Sequence, residues 1–429
     1  MSAKDYSEFR DGWRIVLAAA IGVGLGMSPL PFYTIGVFAA PLTAEFGWNM
    51  KQIMSSMLLF TAGAVVMAPL IGGIADKFGP RKVILTSTVL FSLSMMSFSL
   101  MQGSLVTYLF IWGTLAVVGS GTLPIAWTRV INVKFDRKRG LALGLALIGT
   151  GLFGVLAKQL AYFLIEAVGW RLAYVGVGAL PLVFAWPLAF FLLRDPQDSA
   201  VKTAPDIKDS KLVSDKGFAG KGGLTLKECF RDWRFWLVIG CFIPISFAVG
   251  GPIPNLETIL HSKGFSSGDA VALASIIGIA IVTGRGLGGY LLDHIWAPAV
   301  AAVVLGAPAL TIMLLAQPEV SYVQAAMAIA AVGFAAGVKY DLMPYLVPRY
   351  FGLRQSATIY GIVYAAFALG AGIGPAVFGA LYESMGSYDF VLRLTAVLFL
   401  MGSLPLLLLG KYRVYPNDVS NESPDTDER

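Results

Sequence analysis

Residues 72–82 read Gly72-Gly-Ile-Ala-Asp76-Lys77-Phe-Gly79-Pro-Arg81-Lys82 and lie between two long apolar stretches of the chain. Part of this segment recurs 217 residues later as Gly289-Tyr-Leu-Leu-Asp293, which again closes a long apolar stretch. Three further pairs share the same offset: Gly47-Trp48 with Gly264-Phe265, Gly144 with Gly361, and Gly169 with Gly386. One constant offset at four places indicates that the chain consists of two copies of one membrane unit.

The composition is that of a protein with many membrane spans. Of the 429 residues, 56% are hydrophobic and only 14% are charged, and the mean hydropathy is +0.72. A soluble chain of this length would carry about 25% charged residues. Uncharged runs such as 83–104, 105–128 and 295–318 reach the roughly 20 residues that cross a bilayer. The first apolar run, from Trp13, lacks a small-residue cleavage site, so it predicts a retained first helix and not a signal peptide.

Apolar runs and helix breakers predict twelve spans, so the fold class is an all-α polytopic membrane protein. The first six lie near 13–42, 50–75, 82–102, 105–133, 138–165 and 170–194, and the second six near 233–260, 268–292, 296–316, 320–348, 356–383 and 388–412. The predicted domains are a first bundle over 1–194, a polar linker over 195–229, a second bundle over 230–412 and a tail over 413–429. The linker is expected to be mobile and the acidic tail, from Tyr412, to be disordered.

The distribution of positive charge predicts the orientation. Of the 32 Lys and Arg residues, 24 lie in the termini, the even-numbered loops and the central linker. Only four lie on the opposite side, namely Lys51, Arg171, Lys263 and Arg393. Positive residues accumulate on the cytoplasmic side of a membrane, so both termini and the linker are expected in the cytoplasm. The formal net charge of +6 therefore reflects topology and does not indicate a nucleic-acid surface.

Several sequence patterns are typical of cofactor sites, metal sites or enzymes, but here they lie at positions that do not suit those functions. Cys229 and Cys241 lie at the end of the linker and inside the next span, and His261 and His294 lie at opposite ends of one span. They predict neither a disulfide nor a metal site. The glycine patterns at 284–289 and 149–154 lie inside apolar helices, whereas a dinucleotide site needs a preceding strand. The sequence contains neither an ATP-binding motif nor a nucleophile with its base, so no cofactor and no enzyme activity are predicted.

The loop between spans 2 and 3 has the chemistry of a conformational latch. Gly72 is small enough for span 2 to approach a neighbouring helix closely. Asp76 ends that span and can bridge a neighbour in one conformation and release it in another. Asp293 closes the equivalent span of the second half. The alternative is that these charges only set the orientation.

The motif Gly72-x-x-x-Asp76-Lys77-x-Gly79-x-Arg81-Lys82 resembles the corresponding loop of the major facilitator superfamily, and the resemblance covers about residues 10–412. Asp11-Gly12-Trp13 and the segment from Phe135 to Gly144 are similar to the monocarboxylate transporter branch and to bacterial oxalate–formate exchangers. The resemblance implies two pseudo-symmetric six-helix bundles around a central cavity. It also implies a cytoplasmic gate formed by Gly72, Asp76, Lys77, Arg81, Lys82 and Asp293, in a bacterial inner membrane.

Five charged residues are predicted inside spans, where each costs at least ~2.5–3.5 kcal/mol unless it faces a cavity or a partner. Arg285 can grip a carboxylate with two hydrogen bonds, and the resemblance implies an arginine in this helix that meets the substrate carboxylate. A structural pair with Asp341 is the alternative. Asp341 is expected to face Arg285, either as a site that takes up a proton or as a permanently ionised partner. Lys339 lies two positions away, so it faces a different neighbour, and it is a further candidate for substrate contact.

The other two charges are less informative. Arg129 is either a second anion contact or a side chain that reaches the headgroups. Lys158 is expected near the outer face.

Uncharged candidates lie where helices are broken. Tyr33 follows Pro29 and Pro31 in span 1, and Asn255 follows Gly250-Gly-Pro252-Ile-Pro254 in span 7. Broken helices line transport sites because their free backbone groups need a cavity. Tyr33, Asn255 and, in span 11, Tyr364 are therefore candidates for substrate contact, with ordinary kink chemistry as the alternative.

The sequence departs from the resembling families at three positions. Monocarboxylate carriers have a lysine at the position of Tyr33 and an aspartate at that of Ile281, and oxalate exchangers have a lysine in span 11. We expect a secondary transporter of small organic anions, mono- or aromatic carboxylates, driven by proton symport. An exchanger or exporter of the same fold, or a non-transporting membrane sensor, are the alternatives. The expected partners are the anion, protons and the lipid bilayer, and the sequence does not decide the oligomeric state.

Overall fold

The computed structural model describes residues 3–193 and 222–415. The predicted mobile linker lies outside the described residues up to position 221, and the predicted disordered tail lies outside them from position 416.

The first half of the chain forms six spans in sequence order. Span 1 consists of two helices, Ala3–Gly24 and Leu30–Phe46. Spans 2 and 3 are Met50–Phe78 and Pro80–Ser97, and span 4 is divided into Leu105–Val118 and Pro124–Lys134. The helix Arg139–Leu180 turns at Gly169, so it contains span 5 (139–168) and the beginning of span 6, which ends with Trp186–Leu192.

The second half repeats this order. A short helix, Leu226–Arg231, precedes span 7, which consists of Trp233–Gly250 and Leu256–Ser262. Spans 8 to 11 are Ser267–His294, Ala297–Leu315, Tyr322–Phe351 and Ser356–Met385. Span 12 is Asp389–Ser403 followed by the 3-10 turn Leu404–Leu409.

Ten helical segments of the described chain are long and apolar enough to cross a membrane. Spans 5 and 6 count as one of them because they are continuous, and the two helices of span 1 are not included. Large apolar side chains remain exposed along the outer faces, for example Val106, Phe110 and Leu310, at 77%, 72% and 75%. An apolar surface of this extent requires a lipid environment.

The breaks in spans 1 and 7 were predicted from the sequence. Spans 1 and 7 break near Pro29 and at Gly250–Asn255, where proline and glycine interrupt the helical hydrogen bonds. The break in span 4 was not predicted. It falls at Gly119–Leu123, before Pro124, where a 3-10 turn replaces the helix and the backbone amide of Met27 donates to Oγ1 of Thr122 (2.8 Å).

The repeat read from the sequence is present in the backbone. Gly47 and Gly264 have φ of +69° and +85°, and Gly169 and Gly386 have φ of +80° and +68°. Each member of a pair ends a helix or turns between two spans. Glycine adopts this left-handed conformation without the steric cost that a side chain adds. The two halves therefore share corner residues at the offset of 217.

The segments next to the undescribed linker and tail pack on the loop between spans 10 and 11; we call this group, residues 222–226 and 411–415, the clamp. The backbone amide of Leu224 donates to the carbonyl oxygen of Phe351 (2.8 Å), and that of Leu353 donates to the carbonyl oxygen of Gly222 (3.0 Å). The amide of Leu226 donates to Oε1 of Gln355. The end of the predicted linker is therefore ordered, because the backbone of this loop supplies its hydrogen bonds.

The tail side of the clamp is held by polar contacts. Arg413 forms an ion pair with Asp232 at 2.5 Å, and the Tyr415 hydroxyl donates to the carbonyl oxygen of Tyr350 (2.8 Å). The amide of Ala297 donates to the Tyr412 hydroxyl (2.8 Å). The disorder predicted from Tyr412 onward is therefore wrong for residues 412–415.

Candidate functional site

Asp76 joins the two halves of the protein at the end of span 2. Its carboxylate accepts hydrogen bonds from the backbone amides of Ala357 (3.3 Å) and Thr358 (2.8 Å) and from the Thr358 hydroxyl (2.7 Å). These donors begin span 11, where the first amides of a helix lack partners within the helix and favour a negative charge. Gly72 makes the approach possible, because a methyl group there would lie 2.2 Å from the carbonyl oxygen of Ala357.

Asp293 makes the equivalent contact in the other half. Its carboxylate accepts from the backbone amides of Gly140 (2.6 Å) and Leu141 (2.9 Å), at the beginning of span 5. Gly289 lies against the carbonyl oxygen of Gly140, where a methyl group would come within 2.4 Å. Asp76 and Asp293, with the helix ends that they cap, form what we call the latch.

Further contacts across the seam strengthen the latch end of the molecule. The side-chain amide Nδ2 of Asn132, in span 4, donates to the carbonyl oxygen of Pro344 in span 10 (3.0 Å). Arg349, in span 10, forms an ion pair with Asp136 at 3.3 Å, in the loop before span 5. In this structure the two halves are thus closed against each other at this end.

Arg129 belongs to the latch. It is 1% exposed, its Nε lies 3.4 Å from the Asp76 carboxylate, and its guanidinium also donates to the Leu353 carbonyl and the Ser356 hydroxyl. The predicted alternative of a side chain reaching the headgroups is wrong, because Asp76 and the beginning of span 11 hold the side chain inside. The other alternative was that Arg129 contacts an anion. In this structure the Asp76 carboxylate is the anion beside it.

The remaining predicted gate residues lie outside the contact between the halves. Lys77 and Lys82 are exposed, and the Lys77 ammonium lies 5.2 Å from the ring of its neighbour Phe78. Arg81 donates to the carbonyl oxygen of Phe190, within the first half (2.8 Å). Of the loop motif, Gly72 and Asp76 are the residues seen to touch the second half.

Arg285 lies at the seam further from the latch end. The side chain, in span 8, is 5% exposed and donates to Oγ1 of Thr150 in span 5. Its guanidinium carbon lies 5.2 Å from the centroid of the Tyr340 ring. Its Nε is buried and has no hydrogen-bond partner among the described residues. Arg285 is therefore a buried cation with an N–H group that is still able to donate a hydrogen bond.

Asp341 lies beside Arg285 and is fully buried. Neither carboxylate oxygen has a hydrogen-bond partner within the described parts of the chain. Gly144 of span 5 brings the three helices together. A methyl group there would lie 2.3 Å from the Arg285 carbonyl oxygen and 3.3 Å from the Asp341 carboxylate. Asp341 thus lies where spans 5, 8 and 10 converge and feels the charge of Arg285, without the hydrogen bonds that a buried charge requires.

Lys339 lies in an aromatic environment. It is 3% exposed, and its ammonium is 4.7 Å from the Phe367 ring centroid and 5.9 Å from that of Tyr340. Aromatic faces attract cations, but they do not neutralise them. Three charged side chains and Tyr340 thus converge at this seam; we call Thr150, Arg285, Lys339, Tyr340, Asp341 and Phe367 the central cluster.

The tyrosine candidates differ in position. Tyr364 is buried, its hydroxyl lies next to Ser28, and its ring packs on Phe367 at 5.5 Å. Tyr33 is half-buried, its ring packs against Gly154, and it is close enough to Tyr340 for the two hydroxyl groups to interact electrostatically. Both therefore border the central cluster. Asn255 instead donates to the carbonyl oxygen of Gly251 in its own span (2.9 Å), which is the kink chemistry given as its alternative.

Several residues of the site were missed from the sequence. Phe367 carries no charge and lies in no motif. Thr150 lies in the glycine pattern 149–154, which indicated only a helix interior, so neither residue was marked as part of a site. The latch partners carried a usable signal, because Gly140-Leu141 and Ala357-Thr358 are related by the same offset of 217. No group of three histidine, cysteine or acidic residues placed to hold a metal ion occurs within residues 3–193 and 222–415.

Residues 21–363 match the sequence model of the Major Facilitator Superfamily. The chain belongs to this superfamily. It is therefore a secondary transporter of small solutes, and the alternative of a non-transporting sensor is removed. The members of this superfamily are carriers and not enzymes.

The relatives that are named as transporters are distant. The chain is 25% identical over 387 residues to the "Probable sulfoacetate transporter SauU" of Cupriavidus necator, covering 88% of this chain and 89% of that protein. It is 24% identical over 422 residues to "Monocarboxylate transporter 13" of Bos taurus, covering 97% and 94%.

Solved structures support the fold. The fucose:proton symporter of Escherichia coli superposes with a TM-score of 0.68 at 15% identity, covering 93% of this chain and 98% of that chain. The human organic anion transporter MFSD10 superposes with a TM-score of 0.65 at 18% identity, covering 92% and 99%. The predicted fold of two six-helix bundles is thus confirmed.

Proposed function

We propose that this major facilitator protein carries small organic anions together with protons and works by alternating access. The observation that carries the proposal is Arg285, a buried cation at the seam with unused donor capacity. A guanidinium binds carboxylates and other planar or tetrahedral anions in two parallel hydrogen bonds. The names of two relatives, a sulfoacetate and a monocarboxylate transporter, support the same class of substrate.

Asp341 is the group that would carry the proton. It lies beside Arg285, and its oxygens have no hydrogen-bond donors among the described residues. A carboxylate in such a place is stabilised in its charged form mainly by the neighbouring cation. When the substrate anion binds Arg285, the positive charge of Arg285 is shared between the substrate and Asp341. The charged form of Asp341 is then less stabilised, and its protonation becomes favourable. Binding of the anion and of the proton would then support each other.

The latch would supply the conformational change. With Asp76 and Asp293 capping helices of the opposite half, the described structure is closed at the latch end. The positive residues of the loops support a cytoplasmic position for this end. Opening would break both caps and expose the central cluster to that side, so the substrate site would face one side of the membrane at a time.

The test is uptake into proteoliposomes driven by a pH gradient, with labelled lactate, oxalate, sulfoacetate and benzoate as substrates. Wild-type protein should accumulate at least one acid, and Arg285→Ala should abolish this. Lys158→Ala, which removes an exposed charge from span 5, serves as the matched control and should retain uptake. Absence of uptake for every acid would contradict the substrate class and leave the fold unaffected.

Asp341→Asn separates symport from anion exchange, the alternative function. In a symporter this variant should lose accumulation driven by the proton gradient, whereas exchange of preloaded anion should survive. Exchange that is equally fast in wild type and variant, with no accumulation by either, would assign the protein to the exchangers.

A further inference from the structure

A cavity of about 390 Å³ opens at the latch end of the second half. It is lined by Trp296, Gly410, Lys411 and Tyr412, which join the beginning of span 9 to the segment after span 12. Its volume lies within the roughly 300–1,000 Å³ of small-ligand sites. Residues of the latch and of the central cluster are not among those that line it, so the transport site does not account for this cavity.

Tyr350, in span 10, connects two walls of the cavity. Its hydroxyl donates to the carbonyl oxygen of Gly410 (2.7 Å), and the indole Nε1 of Trp296 donates to that hydroxyl (3.3 Å). The Tyr412 ring packs on the Tyr350 ring with 5.4 Å between the centroids, and the Tyr412 hydroxyl accepts from the backbone amide of Ala297 (2.8 Å). Contacts within the protein therefore hold the walls in place.

Two cations lie at the cavity. Lys411 is one of the lining residues and is exposed. The guanidinium carbon of Arg234, in span 7, lies 5.9 Å from the centroid of the Tyr350 ring, and its Nη2 would lie 3.8 Å from a methyl group at Gly410. The Nε of Arg234 is buried and has no hydrogen-bond partner among the described residues. This arginine therefore has an N–H group that is able to donate beside the cavity.

The positive charge at the cavity is not balanced by a neighbouring acid. Within the described parts of the chain, neither Lys411 nor Arg234 forms an ion pair, and Asp232, two positions before Arg234, is paired with Arg413 at 2.5 Å. Arginine binds a phosphate with two parallel hydrogen bonds, and lysine binds it as a point charge. The two cations therefore favour a ligand that carries a phosphate.

The sequence neighbours of these residues are apolar and exposed. Trp233, Ile295 and Leu408 have exposed fractions of 54%, 48% and 65%. Tryptophan is enriched where a membrane meets water, and apolar surface on the spans faces the acyl chains. The cavity therefore lies at the membrane–water interface, at the level of the phospholipid headgroups.

The internal repeat does not require these residues. Subtracting 217 from Arg234 and Trp296 gives Leu17 and Gly79, which carry neither a charge nor an indole ring. The latch carboxylates, in contrast, are aspartates in both halves. The cation and the indole are thus particular to the second half and do not follow from packing that both halves share.

We propose that this cavity binds the headgroup of an anionic phospholipid, with the phosphate between Arg234 and Lys411 and the glycerol against Trp296. The binding does not depend on which substrate is transported. A zwitterionic headgroup brings its own cation, which the two side chains repel, so it binds more weakly. Because Lys411 and Tyr412 belong to the clamp, a bound headgroup would also stabilise the tail side of the clamp.

The test is lipid retention by the purified protein, measured by native mass spectrometry in detergent with added phosphatidylglycerol or phosphatidylcholine. The wild type should retain phosphatidylglycerol in preference. Arg234→Gln and Lys411→Gln should each weaken this retention about 5-fold, and the double variant about 25-fold. Arg234→Lys should retain more than Arg234→Gln. The matched control is Lys77→Gln with Lys82→Gln, which removes two exposed cations of the first half and should retain the lipid as the wild type does.

Thermal unfolding gives a second readout, because a ligand that binds the folded state raises Tm. Phosphatidylglycerol should raise the Tm of the wild type and of the control more than that of the double variant. An equal Tm of all three in phosphatidylcholine shows that the double variant folds, and the single variants give the same comparison independently.

Three results would overturn the proposal. The first is equal retention of the two lipids by the wild type, and the second is equal retention of phosphatidylglycerol by the wild type and the double variant. The third is that inorganic phosphate, added to the protein in phosphatidylcholine, raises the Tm as much as phosphatidylglycerol does. That result would assign the cavity to a free phosphate ion and not to a lipid.

Discussion

At the scale of single residues, the two latch carboxylates differ in their surroundings although they occupy equivalent positions. Asp76 accepts three hydrogen bonds and lies 3.4 Å from the buried Arg129. Asp293 accepts two backbone hydrogen bonds, and it forms no ion pair within 4 Å among the described residues. Hence the Asp76 side of the latch combines a helix cap with a buried ion pair, and the Asp293 side is a helix cap.

We therefore predict that Asp76→Asn opens the latch more than Asp293→Asn does. The first change leaves the buried Arg129 without its counter-charge, and breaking a buried pair costs about 3–5 kcal/mol. The second change removes a charged acceptor of backbone amides, which costs roughly 1.5–3 kcal/mol. Spin labels at the exposed positions Lys77 and Arg354, in a protein with both native cysteines replaced by serine, measure the distance across the latch.

The expected result is a larger population of long distances in Asp76→Asn than in Asp293→Asn. Each variant is the control of the other, because both replace one carboxylate by its amide at the same place in the repeat. Equal distributions in the two variants would show that Arg129 adds nothing to the latch.

At the scale of helices, glycine sets how closely the halves approach. Gly144 and Gly361 are related by the repeat, and each faces a carbonyl oxygen of the other half, at Arg285 and Ala68. A methyl group would come within 2.3 and 2.4 Å of these oxygens. Contacts this short require a shift of backbone, so the seam depends on residues without a side chain.

We predict that Gly144→Ala separates spans 5 and 8 at the latch end and lowers the uptake rate by at least about tenfold, because misplacement of a site by ~1 Å can cost 100-fold. Gly151→Ala is the matched control in the same span, since a methyl group there meets no atom within 4 Å. Initial uptake rates report the effect on transport, and spin labels at the exposed positions Arg137 and His294, beside the ends of spans 5 and 8, report the separation. Equal rates for the two variants would mean that the close packing at Gly144 is not required for transport.

The clamp connects the ends of the linker and the tail to the loop that carries part of the latch. Leu353 and Gln355, which bind Gly222 and Leu226, lie beside the residues held by Arg129 and Asp76. Cys229 is buried within this region, and burial raises the pKa of its thiol to about 12. The thiol is therefore protonated at neutral pH, and thiolate, the reactive form, is scarce.

We predict that Cys229 is alkylated slowly at pH 8 in the otherwise native protein with Cys241→Ser. The rate should rise with pH toward the pKa. Arg413→Ala removes the ion pair to Asp232 and also a cation that lowers the pKa of the Cys229 thiol. Because burial is the larger cause of the raised pKa, loosening the clamp and admitting water should still accelerate alkylation. Arg393→Ala, on the opposite side of the chain's predicted orientation, is the control. Rapid reaction at pH 8 in the unmodified clamp would contradict both the burial and the raised pKa.

At the scale of the whole molecule, the two halves are related by pseudo-twofold symmetry, and the contacts of the latch follow this symmetry. Adding 217 to the residues of the first latch (Gly72, Asp76) gives Gly289 and Asp293, and the helix ends that they cap correspond in the same way. The central cluster does not obey it. Its charges lie in the second half, with Thr150 as the contact from the first. Symmetric packing at the latch thus supports an asymmetric site.

We predict that the latch end faces the cytoplasm, because most Lys and Arg residues flank that end. A membrane-impermeant thiol reagent should label Arg354→Cys only in inverted vesicles and Lys51→Cys only in right-side-out cells, both in the serine-substituted background. The two positions control each other. Labelling of Arg354→Cys in intact cells would show that the latch end faces the outside, contrary to this prediction.

The sequence by itself determined the number of spans, the repeat, and the breaks in spans 1 and 7. These follow from local properties: apolar runs of bilayer length, glycine and proline at fixed places, and a motif repeated at a constant offset. It also brought out Asp76, Asp293, Arg285, Lys339 and Asp341, because a charge in or at the end of an apolar span is conspicuous without any structure.

Only the tertiary structure decided which of these residues meet. The place of Arg129 beside Asp76, the contact of Arg285 with Thr150, and the aromatic surroundings of Lys339 all join spans far apart in the chain. Such contacts depend on how two bundles are packed, and a threonine or phenylalanine in an apolar span gives no local signal of its partner. The sequence therefore determined the elements and their charges, and packing across the seam decided their pairing.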